Sequence, residues 1–70
     1  MNYMKYKYDK ETDILVIRLR NEKPDHGEQE GSIITHYNKD KKAVELEFLD
    51  ASETALQIVK TVILDKGRKA

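Results

Sequence analysis

Ala43-Val44-Glu45-Leu46-Glu47-Phe48-Leu49-Asp50-Ala51-Ser52-Glu53 is the stretch that decides the fold, because within it a strand pattern gives way to a helix start. Val44, Leu46 and Phe48 share one face of an extended strand and Ala43, Glu45 and Glu47 the other, since strand side chains alternate sides. Asp50 followed three residues later by Glu53 has the spacing of a capping box opening a helix. This strand is therefore expected to face the core, end the sheet and launch the helix.

The segment before it supplies its partner. Ser32 to Asn38 reads as a strand and Lys39-Asp40-Lys41-Lys42 as a four-residue turn. Asn38 is then expected opposite Ala43, Tyr37 opposite Val44, Thr35 opposite Leu46, and Ile33 opposite Phe48. This register puts every apolar residue on one side, whereas a slip of one residue would turn the set outward. The beginning of the chain repeats the arrangement at an offset of 29, with Tyr8-Asp9-Lys10 matching Tyr37-Asn38-Lys39. Met4 to Tyr8 alternates, Asp9 to Asp13 is a polar turn, and Ile14 to Arg20 is rich in β-branched residues. The same register pairs Tyr8 with Leu15, Tyr6 with Ile17 and Met4 with Leu19. Between the hairpins, Pro24 and Gly27 break the pattern into a loop, with Glu28-Gln29-Glu30 at most a short irregular edge.

After Ala51 the period becomes helical. Ala55, Ile58, Val59, Val62 and Ile63 form one broad stripe, with Glu53, Gln57, Lys60 and Thr61 mainly opposite. Gly67 marks a stop, and Lys66, Arg68 and Lys69 suit the negative end of the helix dipole. Three aliphatic side chains of the stripe, buried on the sheet, would contribute about 1.5–3 kcal/mol each. The expected fold is α+β, with a four-stranded, mainly antiparallel sheet made of two β-hairpins and one C-terminal helix packed on one face. It forms a single domain: hairpin 4–20, loop 21–31, hairpin 32–49, helix 51–64 and basic tail 65–70.

Composition narrows the class. At 70 residues the chain has room for one thin core, and such a chain buries only about 60% of its unfolded surface. It lacks cysteine, which removes disulfides, thiolate metal sites and a cysteine nucleophile together. No apolar run approaches the roughly 20 residues of a membrane span, and Met1 to Lys5 has no signal-peptide core, so a cytoplasmic location is expected. Lysines and arginines number 13, as do aspartates and glutamates, so no long-range field draws the chain toward nucleic acid or membrane.

The face the helix leaves free carries the candidates for function. In the first hairpin it presents Lys5, Lys7, Arg18 and Arg20, with Tyr3, Ile14 and Val16; in the second it presents His36, Glu45 and Glu47, with Ile34. Lys5 is expected opposite Arg18, an unfavourable pair unless relieved. Basic and acidic rows lying side by side and neutralising each other is the plainer reading of this face. Ile14, Val16 and Ile34 are the candidate interface, because clustered aliphatics on a solvated face mark association sites. Lys5, Lys7, Arg18 and Arg20 beside Tyr3 are the alternative, an anion or nucleic-acid contact, opposed by the zero net charge and the acidic row.

For a metal, Asp25, His26, Glu28 and Glu30, or His36 with Glu45, lack the usual ligand spacings. No nucleophile elbow or phosphate loop is present. Ser32 and Ser52 read as turn or cap residues, and Tyr6, Tyr8 and Tyr37 as half-buried core rings. A non-enzymatic protein with neither metal nor cofactor is expected.

The run Tyr6 to Leu19 resembles the opening of a small prokaryotic family, domain of unknown function 2283, whose pattern is tyrosine-aspartate, three variable residues, aspartate, then a strand. Thr35 to Ser52 is similar to that family's second hairpin and alanine-serine helix start. The family often has glycine where Lys41 stands, which implies a strained lysine at roughly 1 kcal/mol. It often has glycine where Glu45 stands too, so a bulge expected there is forgone. The resemblance carries no catalytic residues. Family members encoded beside small ribonuclease-type toxins imply an antitoxin-like role. The function expected is a self-associating interaction module, a dimer, with a small protein partner such as a cognate toxin. The alternative is a weak nucleic-acid binder.

Overall fold

Alternation in the sequence becomes one antiparallel sheet. The computed structural model describes residues 3–64, and the expected basic tail, with Gly67, Lys66, Arg68 and Lys69, lies outside them. Five strands form, β1 (Lys5–Asp9), β2 (Ile14–Arg18), β3 (His26–Glu30), β4 (Ile33–Tyr37) and β5 (Ala43–Phe48), followed by helix α1 (Ala51–Val59). A π-helical stretch, Lys60–Leu64, continues α1. The strand order is β1-β2-β5-β4-β3, so the strand that decides the fold lies at the centre, flanked by one hairpin on each side.

Both expected registers appear in most of their pairs, although the first ladder begins at Lys5–Arg18 and does not include the expected Met4–Leu19 pair. Tyr8 pairs with Leu15 and Tyr6 with Ile17, while Ile33 pairs with Phe48 and Thr35 with Leu46. The two hairpins then meet along β2 and β5, where Leu15 faces Phe48 and Ile17 faces Leu46. One face of the sheet therefore carries Tyr6, Tyr8, Leu15, Ile17, Leu46, Phe48, Ile33, Thr35 and Tyr37. The other carries Lys5, Lys7, Ile14, Val16, Arg18, Glu45, Glu47, Ile34 and His36.

Three expectations need correcting. The sheet has five strands, because residues 26–30 of the expected loop pair with β4 throughout. His26-Gly27-Glu28-Gln29-Glu30 has no apolar side chain to announce a strand. It is held by backbone bonding to a free edge, and its exposed acidic residues suit an edge. The second hairpin keeps its register only to His36–Glu45; beyond it the ladder shifts, and Tyr37 faces Ala43 instead of Val44. The irregularity expected to be absent is thus present beside Glu45. It is absorbed in a turn where the Asn38 side-chain oxygen accepts from the amides of Asp40 and Lys42, each at 2.9 Å. Lys41 takes the left-handed conformation, φ 63°, that glycine would occupy without strain.

The third correction concerns the helix. Asp50 makes no side-chain cap bond and itself sits in the left-handed region, φ 51°. The expected packing of the stripe on the sheet is not seen. Ala51 is buried, but Ala55 is exposed, and Ile58, Val59, Val62 and Ile63, with Leu56 beside them, are 46–60% exposed. Among the described residues, Val44 and Ala51 are the hydrophobic side chains that are buried. The α1 helix leaves the end of β5 and projects, giving extents of 45 × 28 × 23 Å and a radius of gyration of 14.5 Å. A folded chain of this length ordinarily has a radius near 11 Å, by the size scaling of about 2.2·N^0.38 Å.

Candidate functional site

The helix root is held by a cluster of hydrogen bonds whose key residue lies far away in sequence. Asp13 closes the β1–β2 turn at φ 58°, its amide donating to the Asp9 carbonyl at 2.8 Å. From there its carboxylate reaches the start of α1. The Ser52 amide donates to Oδ1 and Oδ2 at 3.1 and 3.2 Å, and the Ser52 hydroxyl donates to Oδ1 at 2.8 Å. The Ala51 amide donates to the Asp13 carbonyl at 2.9 Å. On the sheet side, the Tyr8 hydroxyl donates to Oδ1 at 2.6 Å. The capping role expected of Asp50 is thus filled across the chain by Asp13, since the orphan amides of a helix start donate to any well-placed acceptor. The Tyr8 hydroxyl, then the Ser52 hydroxyl and its backbone amide, hold the Asp13 carboxyl below the ordinary carboxylate value.

Tyr8, Asp13 and Ser52 are the polar positions of the tyrosine-aspartate and alanine-serine pattern noted in the sequence. A model of the family described as "Protein of unknown function (DUF2283)" matches residues 5–52, more than half of the chain. The chain is a DUF2283 protein. The matched segment comprises the whole five-stranded sheet and the Asp13-capped root of the helix, but not the projecting helix beyond it. Neither the curated proteins nor the solved structures give a match.

On the charged face of this DUF2283 chain the expected neutralisation takes a specific form. Lys5 stands opposite Arg18, as the register requires, and Arg18 turns toward β5, its Nη1 donating to Glu45 Oε1 at 2.8 Å. The rest of the guanidinium donates to the carbonyls of Arg20 and Glu22, at 3.1 and 2.6 Å. Lys5 Nζ lies 5.1 Å from the centroid of the Tyr3 ring, and Arg20 is 4.0 Å from Glu22. Two of the four basic candidates are therefore engaged by carboxylates, leaving Lys5 and Lys7 together on edge strand β1.

His36 stands opposite Glu45 in the register, but its imidazole lies 3.3 Å from Glu47, because Glu45 is held by Arg18. His26 lies 3.1 Å from Asp25 and stacks on Tyr37 at a centroid distance of 5.4 Å. Among the described residues no three histidine, aspartate or glutamate side chains converge as metal ligands. Ile14, Val16 and Ile34 do share the charged face, with Val16 and Ile34 both flanking Glu47. All three are half-buried, their row shared with long charged side chains whose stems shield them.

The more open apolar surface lies on the other side. Tyr6 is 78% exposed and Tyr8 47%, with Ile33 also exposed and Leu15, Ile17, Leu46 and Phe48 half-buried beside them. Near β3 this face forms an open groove of about 430 Å³, with Ile33, Thr35 and Tyr37 as floor and Glu28 and Glu30 along its edge. The sequence marked these residues as apolar and assigned them to the core. Their availability as a contact surface could not be read from alternation, which fixes a face but not what covers it.

Proposed function

We propose that the chain is a non-enzymatic, self-associating interaction module whose working unit is a homodimer joined through the open apolar face of the sheet. The supporting observation is how little a single copy encloses. Its accessible surface is 5734 Å², whereas a folded protein of this mass exposes about 4,500 Å². The excess, on the order of 1,000 Å², matches the roughly 800 Å² each partner gives up in a stable complex. A two-fold dimer is the simplest closed arrangement that covers the same face on both copies.

Sedimentation equilibrium from low to high micromolar concentration tests the reading. A dimer is expected, and a monomer throughout the range would overturn it.

A small protein partner, antitoxin-fashion, is the natural extension of the same face. The competing reading is a weak nucleic-acid binder through Lys5, Lys7, Arg18 and Arg20. In its favour, Lys5 and Lys7 stand together on an edge strand; against it, Arg18 is held by Glu45 and two loop carbonyls. A pull-down with and without nuclease separates the two, since a protein retained after nuclease supports the module and loss of all bound material supports the binder.

A further inference from the structure

We propose that the element covering the apolar face in the dimer is the projecting helix of the second copy, so that two chains assemble by exchanging helices across each other's sheets. The proposal rests on the dimer reading above and gives it a mode.

Four observations carry it. First, among the described residues both halves of an apolar contact stand open: the sheet face of Tyr6, Ile17, Leu46 and Ile33, and the helix stripe of Ile58, Val59, Val62 and Ile63 with Leu56 at its margin. Second, their dimensions agree. Residues 51–64 rise by about 21 Å at 1.5 Å per residue, and five strands spaced by about 4.8 Å span about 19 Å. Third, the helix is directed away from its own sheet by a fixed root. Asp13 clamps Ser52 and Ala51 at the β1–β2 turn, and every described side chain from Ala55 onward is exposed. Fourth, the charges match, since Lys60, although mainly on the polar side, adjoins Leu56 one turn before it at the margin of the stripe, and Glu28 and Glu30 line the groove at the β3 edge of the face. A helix lying across the strands along the row of Tyr6, Ile17, Leu46 and Thr35 ends at Glu28 and brings an ammonium to that acidic edge. Reciprocity doubles each contact.

Because the chain has no cysteine, introduced thiols report contacts without background. Ile58→Cys and Thr35→Cys variants are prepared separately, mixed, and treated with a short bismaleimide. The mixture is expected to give a covalent dimer linking position 58 of one copy to position 35 of the other. In the doubly substituted chain, linkage between copies should outpace closure within one.

Closure of the double variant at monomer mass would show each helix folding onto its own sheet and would overturn the exchange. Dominant linkage of position 58 to position 58 would also overturn it, while a dimer in sedimentation left the function proposed above standing. A monomer in sedimentation would overturn both. A further variant, Ile58→Asp with Val62→Asp, is expected to raise the dimer dissociation constant on the order of a hundredfold. An unchanged constant would count against the exchange.

Discussion

Asp13 joins two parts of the fold that the chain writes 39 residues apart: the β1–β2 turn and the start of the helix at Ser52. Its left-handed backbone aims the carboxylate at the helix amides, and aspartate is one of the few residues that tolerates that conformation. The carboxyl is held below its unfolded value by Tyr8 and Ser52. The stability it contributes is therefore full above the unfolded pKa of about 4 and is lost as pH falls through the lower folded value. Helical circular dichroism followed from pH 6 to pH 2 should show this loss in the native chain. In Asp13→Asn, which keeps the backbone preference and removes the charge, it should be absent from a less stable starting point. At Lys41 the reverse holds. A lysine at φ 63° is strained, and Lys41→Gly should stabilise the protein by about 1 kcal/mol in urea unfolding, less the chain entropy glycine adds.

Strands with an apolar parity were legible in the sequence, and β3 was not. For β1, β2, β4 and β5, alternation alone fixed the faces and most of the register. His26 to Glu30 has no such signal; it is a strand because β4 leaves a row of backbone groups open to it. Its turn depends on Gly31 at φ 60°, so Gly31→Ala should cost about 1 kcal/mol in the same unfolding experiment, although no side-chain clash awaits the new methyl group. The helix was legible as a helix and as amphipathic, but periodicity cannot say whose surface receives the stripe. Nor can local spacing show that a residue from another hairpin will cap it, which is why Asp50 is expected in the place that Asp13 takes. The charged face was read with its rows correctly side by side. Only the partners within them changed, Arg18 taking Glu45 and so leaving Glu47 to His36.

At the scale of the whole molecule, the proposed exchange would make stability and assembly one quantity. If the exchange of helices supplies most of the enclosed surface, folding is second order in chain, and each tenfold dilution removes about 1.4 kcal/mol from the assembled state. Thermal unfolding at protein concentrations a decade apart should therefore give melting temperatures separated by roughly 3–5 °C. A concentration-independent midpoint would mean the sheet stands alone.

The scarcity of enclosed apolar side chains, Val44 and Ala51 among the described residues, also bears on how long such a protein survives in a cell. Under the proposed exchange, a newly synthesised copy without a mate would expose a helix that proteases can grip, and pairing would withdraw it. Turnover would then fall steeply once synthesis passes a threshold, making the abundance of this chain self-reinforcing above that level and self-clearing below it.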